Sequence, residues 1–108
     1  MRTVTVAAIQ MACTPEREEN LQTAERLVRQ AAAAGANVIL LPELFETPYF
    51  CQERQYAYYQ LATTPEENPA IARFQPIAAE LHVVLPISFF ERAGNNTFNS
   101  IAMIDADG

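Results

Sequence analysis

No lysine occurs in this chain of 108 residues; its seven basic residues are all arginine, set against 13 acidic ones, for a formal net charge of -6. An acidic chain with scattered arginines has no electrostatic footprint for nucleic acid and no polybasic patch for anionic lipid. Cysteine is scarce. Cys13 and Cys51 are too few for a disulfide framework, and their spacing matches no zinc pattern. No apolar run is long enough to span a bilayer, and the N-terminus has no signal-peptide layout. A soluble cytoplasmic protein is therefore the expectation. His82 is the lone histidine. At a strand entrance it reads as a structural hydrogen-bonding residue, and with Ser100 inside a predicted strand no Ser–His–Asp arrangement forms.

Half of the chain is apolar, so a packed core is feasible and disorder is disfavoured. The length suits one small domain, which limits the fraction of surface it can bury alone. Val4 to Met11 reads as a strand, short, uncharged and rich in β-branched residues. Thr14-Pro15-Glu16 reads as a helix start, with Glu16, Glu18 and Glu19 at the positive end of the dipole. Leu21, Ala24, Val28 and Ala31 recur at helical spacing with Leu27 beside them, and Gly35 is the natural stop. Asn37 to Leu41 is a second strand, so the first three elements form a βαβ unit with parallel strands.

A short helix is predicted over Arg54 to Leu61. Asn68-Pro69 opens another, whose buried face is Ile71, Phe74, Ala78 and Leu81 with Ile77 adjacent. His82 to Phe90 and Phe98 to Ile104 read as strands joined at Gly94-Asn95-Asn96, an antiparallel hairpin.

The run Leu40-Leu41-Pro42-Glu43-Leu44-Phe45 carries the chemistry. An apolar strand stops at a proline and a carboxylate. Ligands of α/β proteins sit outside the carboxyl ends of parallel strands. A glutamate placed there among apolar neighbours has its charged form disfavoured, which suits a general base. The competing account of Glu43 is a solvated loop carboxylate or a helix cap.

The ordered set of pieces resembles the N-terminal part of the nitrilase superfamily of carbon–nitrogen hydrolases. The pieces are Val6-Ala7-Ala8-Ile9-Gln10, Asn20, Gly35-Ala36-Asn37-Val38-Ile39-Leu40-Leu41-Pro42-Glu43, Phe98-Asn99-Ser100-Ile101-Ala102 and Asp105-Ala106-Asp107-Gly108. The resemblance implies an α/β fold, the N-terminal part of a four-layer αββα sandwich in the order β-α-β-(α)-α-β-β. Residues 1–108 are then the N-terminal portion of a single hydrolase domain, truncated after the hairpin of strands three and four. Apolar faces that the rest of such a sandwich covers are expected to be exposed, and the isolated chain is expected to aggregate or fold poorly.

The resemblance implies a Glu-Lys-Cys site in which Glu43 is the general base. The lysine and the nucleophilic cysteine have no counterpart here, since Cys13 and Cys51 do not match the nucleophile's motif. The chain alone is expected to be inactive. The stretch Glu43-Leu44-Phe45-Glu46-Thr47-Pro48-Tyr49-Phe50-Cys51-Gln52 points within the family to a small-molecule carbamoyl amine, a carbamoylated diamine cleaved to the diamine, carbon dioxide and ammonia. Tyr49 is placed to shape the substrate pocket. Glu46 is a candidate for the amine end by charge and position alone, with a solvated charge the favoured account. No metal or organic cofactor is implied, and a homo-oligomer is expected of the full-length protein. Two alternatives stay open: another amidase of the family, acting on an N-carbamoyl amino acid or an ω-amide acid, or a non-catalytic α/β binding or assembly module.

Overall fold

Val6–Ala8 (β1) and Val38–Leu40 (β2) are the short uncharged strands of the βαβ unit, with the helix Arg17–Ala33 (α1) crossing between them. They come from a computed structural model, which describes residues 2–47 and 56–108, the backbone alone at 56–58. The two strands pair in parallel, Val6 with Val38 and Ala8 with Leu40. The regular part of β1 is shorter than its apolar run because Pro42 ends the partner strand so soon. Hydrogen bonds nevertheless reach further, from Asn37 N to Thr5 O (2.7 Å) and from Ile9 N to Leu40 O (2.8 Å).

The helix begins at Arg17 rather than at Thr14. Glu16 is the cap residue and makes no side-chain cap bond. The Thr14 hydroxyl does accept a backbone bond, from Glu16 N at 3.1 Å, but just outside the helix. Gly35, at φ +100, comes after the last turn, a left-handed position that glycine takes without strain.

Two short 3-10 segments, Tyr56–Leu61 and Pro65–Glu67, lead to the second helix, Pro69–Leu81 (α2). Asn68 caps it, its side chain accepting from Ile71 N at 2.9 Å, as the sequence pattern requires. The next strand, Leu85–Ala93 (β3), starts three residues later than its apolar pattern suggests. His82 is the reason: it sits at φ 55 and ψ 46 as the C-cap of α2, donating its backbone N–H to Ala78 O. The lone histidine is thus a helix terminator. Asn96–Ile104 (β4) pairs antiparallel with β3. Gly94, at φ +62, is the first central residue of a two-residue turn, so Asn96 belongs to the strand rather than the turn.

A parallel bridge between Val38 and Val84 links the two strand pairs, so the spatial order runs β1-β2-β3-β4. One face of this layer carries both helices. Leu21, Ala24 and Val28 of α1 and Phe74, Ile77 and Ala78 of α2 pack with Ile39, Leu85, Ile87 and Phe89 of the strands in one core. The Phe45 and Phe74 rings meet edge to face at 6.1 Å, an arrangement that adds about 0.5–1.5 kcal/mol to their burial. Arginine fixes the helix pair from outside. Arg73 reaches Glu25 at 2.8 Å and Glu18 at 2.9 Å, which the planar guanidinium does better than an ammonium.

The opposite face is largely open. Val6 is 71%, Met103 68%, Ile101 61% and Leu40 47% exposed. One helical layer and one sheet layer are therefore in place, with an apolar surface where the αββα order calls for a second sheet.

Candidate active site

Glu43 sits directly after β2, where Pro42 has removed the donor needed to continue the ladder. It borders a cleft of about 380 Å³ lined by Leu40, Leu41, Glu43, Ser88, Asn99 and Ile101. The surroundings are apolar as the pattern implies, but Glu43 itself is exposed rather than enclosed. Its Oε1 accepts a short hydrogen bond from Asn99 Nδ2.

The next residue explains why the turn has this shape. Leu44 has φ 51, a left-handed conformation that costs a non-glycine residue about 1–2 kcal/mol. Its side chain is buried, and its backbone N–H donates to Ser88 Oγ at 3.0 Å. Burial and a satisfied donor hold a backbone that would otherwise relax. Further along the turn, Asn20 Nδ2 donates to Glu46 O and to Thr14 O, both at 2.8 Å, while Asn20 Oδ1 accepts from Thr14 N at 2.8 Å. The early asparagine of α1 thus ties the β1–α1 connection to the turn that carries Glu43.

Glu46 overturns its expected role. It is 5% exposed, not a solvated loop charge, and it does not line the cleft. Its Oε2 accepts from Asn68 Nδ2 at 2.9 Å, and Arg17 Nε lies 3.7 Å from Oε1, an ion pair beyond hydrogen-bond reach. Burial pushes the Glu46 carboxyl above the ordinary carboxylate value. The bond from Asn68, the Arg17 charge and the backbone N–H of Ala70 oppose that shift without cancelling it. Asn68 serves two elements at once, capping α2 with its carbonyl and holding Glu46 and Thr63 with its amide.

Of the other candidates, Tyr49 and Cys51 lie outside the described residues. Cys13 is half-buried against the core and burial raises its thiol, which makes it a poor nucleophile. The Ser100 hydroxyl donates to Glu91 at 2.7 Å. Among the described residues no cluster of His, Cys, Asp and Glu has the geometry to hold a metal ion, and no helix is long and apolar enough to cross a membrane. Ser88 and the side-chain role of Asn99 went unread in the sequence. The available signal was a polar residue interrupting the apolar run of β3, and an asparagine on a strand face whose neighbours Ile101 and Met103 are apolar.

A parallel βαβ unit ending in a carboxylate on a braced turn, with a hairpin that reaches back to it, is the opening of a carbon–nitrogen hydrolase. The family model for carbon-nitrogen hydrolases matches residues 5–108, and the chain belongs to that family. It is 54% identical over 105 residues to the N-carbamoylputrescine amidase of Oryza sativa subsp. japonica, covering 97% of this chain and 35% of that protein. It is 44% identical over 108 residues to the citrullinase of Francisella tularensis, covering 100% of this chain and 38% of that protein. The crystal structure of a carbon-nitrogen hydrolase from Helicobacter pylori superposes with a TM-score of 0.85 at 27% identity, covering 96% of this chain and 36% of that one. The chain thus spans little more than a third of the length of the relatives it matches, and the nitrilase-like fold read from the motifs is the fold observed.

Proposed function

We propose that this chain supplies the general base of an amidase that hydrolyses N-carbamoylputrescine to putrescine, carbon dioxide and ammonia, a step that feeds polyamine synthesis. The observation that carries the reading is Glu43: a carboxylate at the end of a parallel strand, over a cleft, on a turn braced from α1, α2 and β3. The likeness to enzymes named for carbamoyl substrates supports the choice of substrate.

In this reading a thiol supplied by the rest of the protein is the nucleophile. A thiol near its free pKa is mostly protonated, so Glu43 removes its proton as it attacks the carbamoyl carbon. Glu43 passes that proton to the first amine as it leaves, and then takes a proton from the water that cleaves the acyl-enzyme. A lysine, also from outside these residues, stabilises the oxyanion. Tyr49 is assigned to the pocket wall by its place in the sequence. Glu46 is not assigned to substrate, because it is buried away from the cleft with one carboxylate oxygen bonded to Asn68.

The test is Glu43→Gln in the full-length protein, with ammonia release measured on N-carbamoylputrescine and on citrulline. Glutamine keeps the shape and cannot take a proton, so the expected loss in kcat is on the order of 10²–10⁴. A variant within tenfold of the wild type would remove Glu43 from the chemistry. Faster turnover of citrulline would move the reading to that second substrate, whose basis is the 44% identity to a citrullinase.

A further inference from the structure

The outer face of the sheet is apolar where it borders the cleft, with Leu40 on β2 and Ile101 and Met103 on β4 all exposed. Ser88 and Asn99 interrupt it. Register places them on the same face, since Ser88 opposes Ile101 and Phe90 opposes Asn99. A polar group on such a face is costly wherever the face becomes covered, unless it is hydrogen-bonded. Both side chains are bonded to the same feature. Ser88 accepts from Leu44 N at 3.0 Å and Asn99 donates to the Glu43 carboxylate. Two adjacent strands of one hairpin thus grip the turn twice, once by its backbone and once by its reactive group.

We propose that Asn99 is the positioning residue of the general base: it holds the Glu43 carboxylate in its working orientation, while Ser88 fixes the backbone from which that carboxylate projects. The inference rests on Glu43 being the base, and deepens that reading. A glutamate has freely rotating side-chain torsions, and an exposed one samples many of them. Fixing one oxygen with an amide donor leaves the other directed for proton transfer, which is the kind of geometric control that a small misplacement forfeits. An amide suits the task better than a cation would, because it orients the carboxylate without a full charge competing for its proton.

The experiment uses the full-length protein and four variants: Asn99→Leu, Asn99→Ser, Glu43→Gln, and Glu43→Gln with Asn99→Leu. Leucine keeps the volume, lacks the donor, and matches the apolar face. Serine, on an exposed strand position, is too short to reach and guards against a folding defect in the first. Ammonia release is measured on whichever of N-carbamoylputrescine and citrulline the wild type turns over. The expected result is a fall in kcat of about 10- to 100-fold for both Asn99 variants with KM within about twofold, and less than twofold further loss when Asn99→Leu is added to Glu43→Gln. A purely structural role would cost the same factor in both backgrounds, and that result, or wild-type kcat in Asn99→Leu, overturns the proposal. A Glu43→Gln variant that keeps near-wild-type activity instead overturns the base assignment, whatever the Asn99 variants do.

Discussion

Asn68 lies where α2, the turn of Glu43 and the short 3-10 segment meet, and its two halves can be tested separately. Its carbonyl caps α2 through Ile71 N at 2.9 Å, and its amide donates to the buried Glu46 carboxylate at 2.9 Å. Asn68→Ala removes both. Loss of the cap costs about 1 kcal/mol, and loss of a donor to a buried charged acceptor costs about 1.5–3 kcal/mol. The sum is roughly 3 kcal/mol. Asn68→Asp divides the two terms. Aspartate caps a helix as well as asparagine does, but it places a second carboxylate where the donor stood. If capping were the whole role, Asn68→Asp would match the wild type. The geometry instead requires that at neutral pH it lose at least as much as Asn68→Ala. It should recover in acid, where one carboxyl takes a proton and donates to the other. Urea unfolding monitored by circular dichroism at pH 7 and pH 5 reads both effects as midpoint shifts at constant slope. An Asn68→Asp variant within about 0.5 kcal/mol of the wild type at pH 7 would refute the argument, since that is the range of substitutions that touch nothing important.

Glu46→Gln should show a pH-dependent stability difference. Burial raises the Glu46 carboxyl above its ordinary value of 4.5, so its contribution is fully present below pH 4.5 and is lost as pH rises through the folded value. The variant should therefore gain on the wild type as pH rises from 4.5 and level off above that folded value; a difference independent of pH would contradict the burial argument. His82→Gly should raise the unfolding midpoint slightly. The left-handed cap costs a non-glycine residue about 1–2 kcal/mol, glycine's extra freedom in the unfolded chain costs about 0.5–1 kcal/mol, and His82 is exposed, leaving a gain of up to about 1.5 kcal/mol. A clear destabilisation in the same urea titration would show that the imidazole makes a contact worth more than the strain.

The parts of the fold legible in the sequence were those written in neighbouring residues. The spacing of Leu21, Ala24, Val28 and Ala31, the Asn68-Pro69 start and the Gly94-Asn95-Asn96 turn each state a local geometry, and the structure has each one, with Asn96 moved from the turn into the strand. The place of Glu43 at the end of β2 was legible for a related reason: strand, proline and carboxylate are consecutive. Glu46 was not. Local rules make a charge three residues into a loop a solvated one, and only the approach of Asn68 from 22 residues away and Arg17 from the start of α1 makes its burial tolerable. Ser88 and Asn99 reach the turn across 44 and 56 residues. Nothing near them in the chain says what they bond. His82 was misplaced by strand propensity, because an apolar run beginning at Val83 conceals a helix cap that depends on one residue's φ.

On the role proposed for Glu43, these long-range bonds also say why a base can be carried by a turn. Loops are the least constrained parts of a fold, and a base that wanders loses rate. Here β2 is only three residues long, so the ladder alone cannot orient the turn at its end. The left-handed Leu44 makes the difficulty sharper, since about 1–2 kcal/mol of strain favours opening the turn. Burying the Leu44 side chain returns about 1.5–3 kcal/mol, which offsets the strain and couples the turn to the core. Asn20 from α1, Asn68 from the cap of α2 and Ser88 from β3 then tie Leu44 and Glu46 of the turn to three elements that pack in that same core. Displacing the whole turn therefore strains bonds to all three elements, and the one nearest Glu43 is that of Leu44 N to Ser88. Asn99 is the exception, because it acts on the carboxylate alone from an exposed position. That is why its replacement should reach the chemistry while leaving the fold intact.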